Sequence, residues 1–142
     1  MKKNILCLDL GKGSLGLAIS RSGFLVTPLT NLRFHMMAFD EAMAGLKQVM
    51  ALERVETFVI GYPTYPSGDP CEMTPYVEDF ILKLNKEFPN IPVFRQDERY
   101  STKEASEILH SNGQNTRKQH GHIDSAAATV ILERYLRSLG QL

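Results

Sequence analysis

Residues 4–11 read NILCLDLG, an apolar run with one acid, Asp9, two residues before a glycine. Such a run is typical of a buried strand that ends in a turn. A second apolar segment at Leu15–Ser20 and a third at Phe24–Pro28 follow, separated by Arg21-Ser22-Gly23. Because short connections that contain glycine favour hairpins, we expect the chain to open as three antiparallel strands in meander order.

Helical and strand patterns alternate after this meander. They predict, in order, a helix over Phe39–Met50, a strand over Thr57–Ile60, a loop over Gly61–Pro70, a helix over Thr74–Phe88 and a strand over Ile91–Gln96. Thr74 is expected to be the N-cap of its helix, because Pro75 suits the first helical position. Helical spacing of apolar residues and period-two runs carry these predictions.

Two more helices are predicted at the C-terminal end. A capping box at Ser101–Glu104 opens a helix that reaches Gly113, a polar loop covers Gln114–Gly121, and a last helix runs from about His122 to Arg137. The order βββαβαβαα predicts an α/β fold whose mixed five-stranded sheet has three antiparallel and then parallel strands, with helices on both faces. At 142 residues, we expect residues 1–142 to form a single domain.

Composition restricts the classes of function. The chain has 16 basic and 16 acidic residues, so any contact with nucleic acid must come from a local basic patch rather than from net charge. Cys7 lies in an apolar run and is expected to be a buried free thiol, as in a reducing cytosol. Asp9 interrupts the first apolar run too early for a signal peptide, and no segment is long enough to span a membrane. We expect a soluble, cytoplasmic protein.

Three acids from distant parts of the sequence are candidate metal ligands. Asp9 lies at the end of the first predicted strand and Glu98 at the end of the last one, and parallel strands would bring both to one edge of the sheet. Asp124 lies in the first turn of the predicted last helix, with Ala127, Ala128 and Ile131 on the same face. Converging carboxylates repel each other, and a hard dication such as Mg²⁺ relieves that repulsion. The pattern therefore predicts a metal site for hydrolysis of phosphate esters.

Each acid also has a simpler interpretation. Asp9 could be a turn residue, Glu98 a surface acid paired with Arg95 or Arg99, and Asp124 a charge that complements the helix dipole. Asp97 competes with Glu98, because strand alternation points only one of two neighbours toward a given face. The residue pattern does not decide between them.

The chain resembles the YqgF family, also called RuvX-like, a group of small bacterial RNase H-like nucleases. The resemblance runs through nearly the whole chain and rests on four motifs: Leu8-Asp9-Leu10-Gly11; Val59-Ile60-Gly61-Tyr62-Pro63; Asp97-Glu98-Arg99-Tyr100-Ser101-Thr102; and Ile123-Asp124-Ser125-Ala126-Ala127-Ala128. It implies an RNase H-like fold and metal-dependent cleavage of phosphodiester bonds. The matched acids are Asp9, Glu98 and Asp124, which favours Glu98 over Asp97, and the expected cofactor is Mg²⁺ or Mn²⁺, as two ions.

The family is associated with trimming the 5′ end of precursor 16S rRNA and was earlier proposed to resolve Holliday junctions. The resemblance therefore implies a structured RNA, or a DNA junction, as the partner of a monomer or weak homodimer. We expect substrate contacts from five residues: Lys12, Arg99, Thr102, Arg117 and Lys118. Ordinary solvation of these side chains is the alternative. The family usually has a more basic turn after the first glycine than Lys12-Gly13-Ser14, and a more basic loop before Asp124.

Other motifs are weaker. Residues 11–16 fit G-x-G-x-x-G, but a strand and not a helix is predicted there, which argues against a dinucleotide site. A single domain is too short for an actin-like ATPase. The spacing of His110, His120 and His122 matches no zinc finger, although His120 or His122 could contact phosphate. Aromatic residues of the loop Tyr62–Pro70 could stack on a base.

Three functions follow in order of preference. The first is a metal-dependent nuclease, a hydrolase of ester bonds, that processes precursor rRNA in ribosome biogenesis. The second is a resolvase of four-way DNA junctions, which would need a two-fold dimer. The third is a catalytically silent nucleic-acid-binding assembly factor, which the three acids argue against because carboxylates repel phosphate.

Overall fold

The computed structural model describes residues 2–98 and 116–142, with side chains described for 2–98 and 126–142. These described residues form the elements β1 Ile5–Leu10, β2 Ser14–Ser20, β3 Thr27–Arg33, α1 Phe39–Leu52, β4 Thr57–Tyr62, α2 Thr74–Glu87, β5 Val93–Asp97 and α3 Thr116–Ser138. The predicted capping box and its helix, at residues 101–113, lie outside the described residues.

The five strands form one mixed sheet in the order β3-β2-β1-β4-β5. β1 pairs antiparallel with β2 and β2 with β3, whereas β4 runs parallel to both β1 and β5. The predicted α/β class and the mixed five-stranded sheet, with three antiparallel strands followed by parallel ones, are confirmed. Because β1, β4 and β5 are parallel, their C-terminal ends meet at one edge of the sheet, which we call the carboxyl edge.

The two faces of the sheet bury two separate apolar clusters. Leu6, Leu8 and Leu10 of β1 point into a cluster with Phe58 and Ile60 and with buried residues of α1 and α2. The alternate residues of β1, Ile5 and Cys7, pack with Val59 and with Ala128, Ile131, Leu132, Tyr135 and Leu136 of α3. Helices therefore cover both faces, as predicted, and odd-numbered residues of β1 face α3.

The third strand lies further along the chain than predicted. The segment Phe24–Pro28 was expected to be this strand, but β3 is Thr27–Arg33. Two serine side chains hold the loop between β2 and β3. Ser20 Oγ accepts a hydrogen bond from the Gly23 amide, and Ser22 Oγ accepts one from the Leu25 amide. Phe24 and Leu25, whose apolar character suggested a strand, are exposed.

The predictions for β4 and α2 were also wrong at their ends. The sequence pattern predicts a loop from Gly61 onward, but β4 continues to Tyr62 because Gly61 and Tyr62 pair with Gln96 and Asp97 of β5. Thr74 is the first residue of α2 and not its N-cap, which is Met73. The Thr74 hydroxyl instead donates a 2.6 Å hydrogen bond to the Pro63 carbonyl, which ties α2 to the segment after β4.

Helix α3 begins six residues earlier than predicted, at Thr116 rather than near His122. The predicted loop Gln114–Gly121 is therefore helical from Thr116 onward, and Asp124 is the ninth residue of the helix, not part of its first turn. None of the helices in the described part of the chain has a stretch long and apolar enough to cross a membrane.

The two ends of the described chain meet and fix the direction of α3. The Lys2 amide donates a 3.0 Å hydrogen bond to Gln141 Oε1, and Lys2 Nζ donates one of 2.9 Å to the Tyr135 hydroxyl. These contacts hold the C-terminal end of α3 beside the start of β1. Residues earlier in α3 therefore extend toward the carboxyl edge, where β1 ends.

Candidate active site

Asp9 lies at the end of β1, at the carboxyl edge. It is half-buried and pairs with Gly16 of β2. The register of β1 with β4 ends at Leu8 and Ile60, so one further step places Asp9 beside Gly61. Asp9 shares the odd-numbered face of β1 with Ile5 and Cys7, and its side chain therefore points toward α3.

Glu98 follows directly after β5, and strand alternation gives it the same face. The Phe94 ring contacts Tyr135 of α3, with ring centroids 6.0 Å apart, so the even-numbered residues of β5 face α3. Arg95 faces the opposite side, where its guanidinium lies 5.3 Å from the centroid of the Tyr62 ring. Glu98 therefore belongs to the face of Asp9, whereas Asp97 belongs to the face of Arg95.

The side chains of Asp9 and Glu98 contact each other through a hydrogen bond. Burial, the charge of Asp9 and this hydrogen bond raise the pKa of Glu98 to about 10, with smaller contributions from Cys71 and Asp97. At neutral pH the Asp9–Glu98 pair therefore holds one proton, which lies in the hydrogen bond between the two carboxyl groups. Two acids that are 89 positions apart in the chain form one site at the carboxyl edge.

Gly61 provides the space that the Glu98 carboxyl occupies. A Cβ atom at this position would lie 2.5 Å from Glu98 Oε2 and 2.9 Å from Ile131 Cδ1. The Glu98 side chain is thus packed between the backbone of β4 and a buried residue of α3. Sequence reasoning had missed this role of Gly61. The sequence signal that could have shown it is spacing: Gly61 is two residues after Val59, so it lies on the same face of β4, toward α3.

Cys7 lies under the two acids. It is fully buried on β1, two residues before Asp9. Burial is the main reason why the pKa of the Cys7 thiol is well above its ordinary value, and the nearby carboxyl groups of Asp9 and Glu98 raise it further. The thiol is therefore neutral, and the predicted buried free cysteine is confirmed.

Asp124 lies on the face of α3 that packs against the sheet, although its side chain is outside the described residues. By helical spacing, Asp124 shares a face with Ala127, Ala128 and Ile131, and these three residues are buried. The position is seven residues before Ile131, which contacts the Gly61–Glu98 site, and on the side of the carboxyl edge. Among the side chains that the structure describes, no three acids, histidines or cysteines form a metal-binding group.

The donor set suits a hard cation. Asp9 and Glu98 present carboxylate oxygens, which are the ligands that Mg²⁺ and Mn²⁺ take up in proteins. Without a cation, the pair reduces its mutual repulsion by keeping one proton, as the raised pKa of Glu98 shows. These two residues fit a divalent metal, and their role as metal ligands stays a prediction.

Lys12 is the one predicted substrate contact whose side chain is described. It lies in the turn after β1, and its Nζ forms a 2.6 Å ion pair with Glu72 Oε1. The Lys12 backbone carbonyl accepts a hydrogen bond from Met37, which fixes the turn. Arg99 and Thr102 lie outside the described residues, and the side chains of four residues of α3 do as well: Arg117, Lys118, His120 and His122.

The strand order, the parallel carboxyl edge and the acid pair together define an RNase H-like α/β fold. A family model described as RuvX, Holliday junction resolvase, matches residues 3–138. The chain belongs to this family.

Relatives of similar length carry the name "putative pre-16S rRNA nuclease". One from Mycoplasma capricolum is 34% identical over 141 residues, which cover 97% of this chain and 98% of the relative. One from Mesoplasma florum is 34% identical over 139 residues, 96% and 97% of the two chains. One from Onion yellows phytoplasma is 33% identical over 131 residues, 92% and 87%. The chain is accordingly a nuclease, a hydrolase that acts on ester bonds.

Proposed function

We propose that this chain is a metal-dependent nuclease that processes the 5′ end of precursor 16S rRNA during ribosome biogenesis in the cytoplasm. The observation that carries the proposal is the contact between Asp9 and Glu98 at the carboxyl edge. The names of the relatives support the RNA substrate.

Asp9, Glu98 and Asp124 are the proposed ligands of Mg²⁺ or Mn²⁺, as one ion or as a pair completed by substrate phosphate. When bound, such ions neutralise phosphate oxygens and lower the pKa of water for in-line attack. The Asp9–Glu98 pair must release its proton to solvent before both residues can be ligands, and the two negative charges would then be offset by the dication. Gly61 and Ile131 hold the Glu98 side chain in place, so that little ordering remains to be done when substrate arrives.

Lys12 is proposed to bind a substrate phosphate, because it is the basic residue of the turn that follows β1 and Asp9. In the structure its charge is neutralised by Glu72. Binding of a phosphodiester would replace one partner with another of the same sign, at modest cost for an exposed pair.

The Asp9→Asn variant tests the proposal. It keeps the size of the side chain and removes the charge, and we expect cleavage of a precursor 16S rRNA fragment to be lost while the far-ultraviolet circular dichroism is unchanged. Asp40→Asn is the matched control, because Asp40 is on α1 with a side chain that is 98% exposed. Cleavage by Asp9→Asn at the wild-type rate would remove Asp9 from the mechanism.

A second candidate function is resolution of four-way DNA junctions, which the description of the matching family model favours. It requires two active sites in a two-fold dimer, because two strands must be cut symmetrically. Cleavage of the precursor rRNA fragment and of a synthetic junction should be compared at equal enzyme concentration, with the mass in solution measured by light scattering. Faster junction cleavage by a stable dimer would favour the resolvase, and faster rRNA cleavage by a monomer or weak dimer would favour the nuclease proposed above.

A further inference from the structure

A pocket lies at the carboxyl edge on the face of the sheet opposite to Asp9 and Glu98. Its volume is about 280 Å³, and it is lined by Tyr62, Thr64, Gly68, Arg95 and Asp97. These residues come from the ends of β4 and β5 and from the segment between β4 and α2. The acid site and this pocket therefore lie on the two sides of the same strand ends.

One wall of the pocket is a cation on an aromatic ring. The Arg95 guanidinium lies 5.3 Å from the centroid of the Tyr62 ring, and it makes no ion pair with any residue in the described part of the chain. The Tyr62 hydroxyl donates a 2.5 Å hydrogen bond to Glu78 Oε1 of α2, which holds the ring. Flat cationic and aromatic groups of this kind are the usual stacking partners of unpaired bases.

The opposite wall is a preformed turn. Thr64 and Pro70 pair in an isolated bridge, the Tyr65 amide donates to the Asp69 carbonyl, and the Gly68 amide donates to Tyr65. Gly68 has a φ of +93°, which a residue with a side chain rarely adopts. Because the turn is hydrogen-bonded internally, the pocket does not need to be ordered by its ligand.

The polar groups select the class of ligand. Asp97 can accept hydrogen bonds from the amino and imino groups of a base, and its charge opposes a phosphate in the same place. Thr64 offers a hydroxyl that can donate or accept. A planar ligand with N–H donors on its edge therefore fits better than an anion.

Adjacent residues of the chain connect this pocket to the acid site. Asp97 and Glu98 are consecutive and face opposite sides of β5, so a nucleotide whose base enters the pocket keeps its phosphates near the carboxyl edge. We propose that this pocket binds one unpaired base of the strand that is cut, stacked on the Arg95–Tyr62 pair beside the scissile phosphate. This inference rests on the proposed nuclease function and adds a base-binding subsite to it.

The test measures binding and not cleavage. Short single-stranded RNAs, each with one abasic nucleotide at a different position, are bound to the full chain in Ca²⁺, and the dissociation constants are read by fluorescence anisotropy. For the wild type, one position should show a loss of affinity of about tenfold, because stacking of one base is worth that much. The Arg95→Ala variant should bind all of these RNAs equally, since the loss at that position is already present.

Two further variants separate stacking from charge. Arg95→Lys keeps the charge and loses the planar group, so we expect it to behave like Arg95→Ala. Arg54→Ala is the matched control, because Arg54 is an exposed arginine beyond α1 that pairs only with Glu56 among the described residues, and it should keep the wild-type profile. A thermal melt of each variant checks folding.

Two results would overturn the subsite: a flat abasic profile for the wild type, or a wild-type profile for Arg95→Lys, which would indicate a phosphate contact. Failure of the nuclease proposal is seen separately, as absence of RNA cleavage in Mg²⁺ by a protein that still shows the position-specific abasic effect.

Discussion

Replacing Gly61 with alanine tests the packing of the acid site without touching an acid. The added Cβ would lie 2.5 Å from Glu98 Oε2 and 3.1 Å from its Cδ, and 2.9 Å from Ile131 Cδ1. Ordinary contacts begin at 3.4 Å, so the Glu98 carboxyl must withdraw by roughly 1 Å, or the backbone of β4 must shift. Ile131 is fully buried and therefore has little room to move away.

The expected effect on activity exceeds the effect on stability. Overpacking of one methyl group in a close-packed region costs about 1–3 kcal/mol of unfolding free energy, which a stable domain tolerates. A displacement of about 1 Å of a group that must be held in position costs about 100-fold in rate. We therefore expect Gly61→Ala to remain folded at 25 °C and to lose about 100-fold in kcat/KM for RNA cleavage.

The assay is cleavage of the precursor rRNA fragment in Mg²⁺ alongside denaturation with urea. Gly45→Ala is the control, because its Cβ would meet the flexible Leu32 side chain at 3.1 Å and Gly45 is on α1, which packs against the other face of the sheet. Its activity should be unchanged. The double variant Gly61→Ala with Glu98→Asp should be no worse than the more impaired single variant, because the shorter acid vacates the space. Wild-type cleavage by Gly61→Ala would refute the position assigned to Glu98, or its use in catalysis.

Three further predictions concern the charged groups. The pKa of Glu98 is about 10 in the folded protein and 4.5 ordinarily, so the stability that comes from its proton is complete below pH 4.5 and is lost as the pH rises toward 10. Thermal melts in EDTA should therefore show that Glu98→Gln gains stability relative to the wild type as the pH rises. A stability difference that does not change with pH would contradict the acid pair. Glu72→Gln releases Lys12 from its ion pair, so RNA affinity in Ca²⁺ should increase by about twofold to threefold, within the range of exposed ion pairs. Lys12→Ala should weaken RNA binding, and adding Glu72→Gln to Lys12→Ala should then have no effect. Asp124→Asn should abolish cleavage and weaken Mn²⁺ binding, measured by electron paramagnetic resonance of the free ion, and unchanged Mn²⁺ affinity would exclude Asp124 from the site.

Most of the architecture could be predicted from the sequence because periodicity and element order restrict the possible sheets. The meander of three strands followed by βαβ units leaves few ways to place β4, and β4 indeed lies beside β1. The carboxyl edge followed from the parallel pairing of β1, β4 and β5. What periodicity could not supply was the end of each element, since side-chain hydrogen bonds and pairing partners decide those ends.

Helix α3 illustrates that limit. Residues 114–121 contain no apolar face and include Gly121, so local pattern predicts a loop. The helix nevertheless extends back to Thr116. Once the buried segment around Ala128 and Ile131 is helical, each added residue forms another hydrogen bond at little cost, and no proline interrupts the segment. The helix start at Thr116 also excludes the interpretation that Asp124 complements the helix dipole, because Asp124 is the ninth residue and lies beyond the first turn.

The choice between Asp97 and Glu98 needed three-dimensional information. Both acids follow the same strand, and hydrophobicity does not distinguish the two faces of β5, which is an edge strand with exposed residues on both. Two ring contacts decide it, Phe94 with Tyr135 and Arg95 with Tyr62.

Alternation at the end of β5 also explains how one short segment can serve two sites. Consecutive residues of an extended chain point to opposite faces, so Glu98 can lie beside Asp9 while Asp97 lines the pocket with Arg95. Two acids on one face would add their repulsion at the proposed metal site, whereas opposite faces separate the charges by the thickness of the sheet. A shift of β5 by one residue would exchange the faces of the two acids. The pairing of Gly61 with Gln96 and of Tyr62 with Asp97 fixes the register that prevents this exchange.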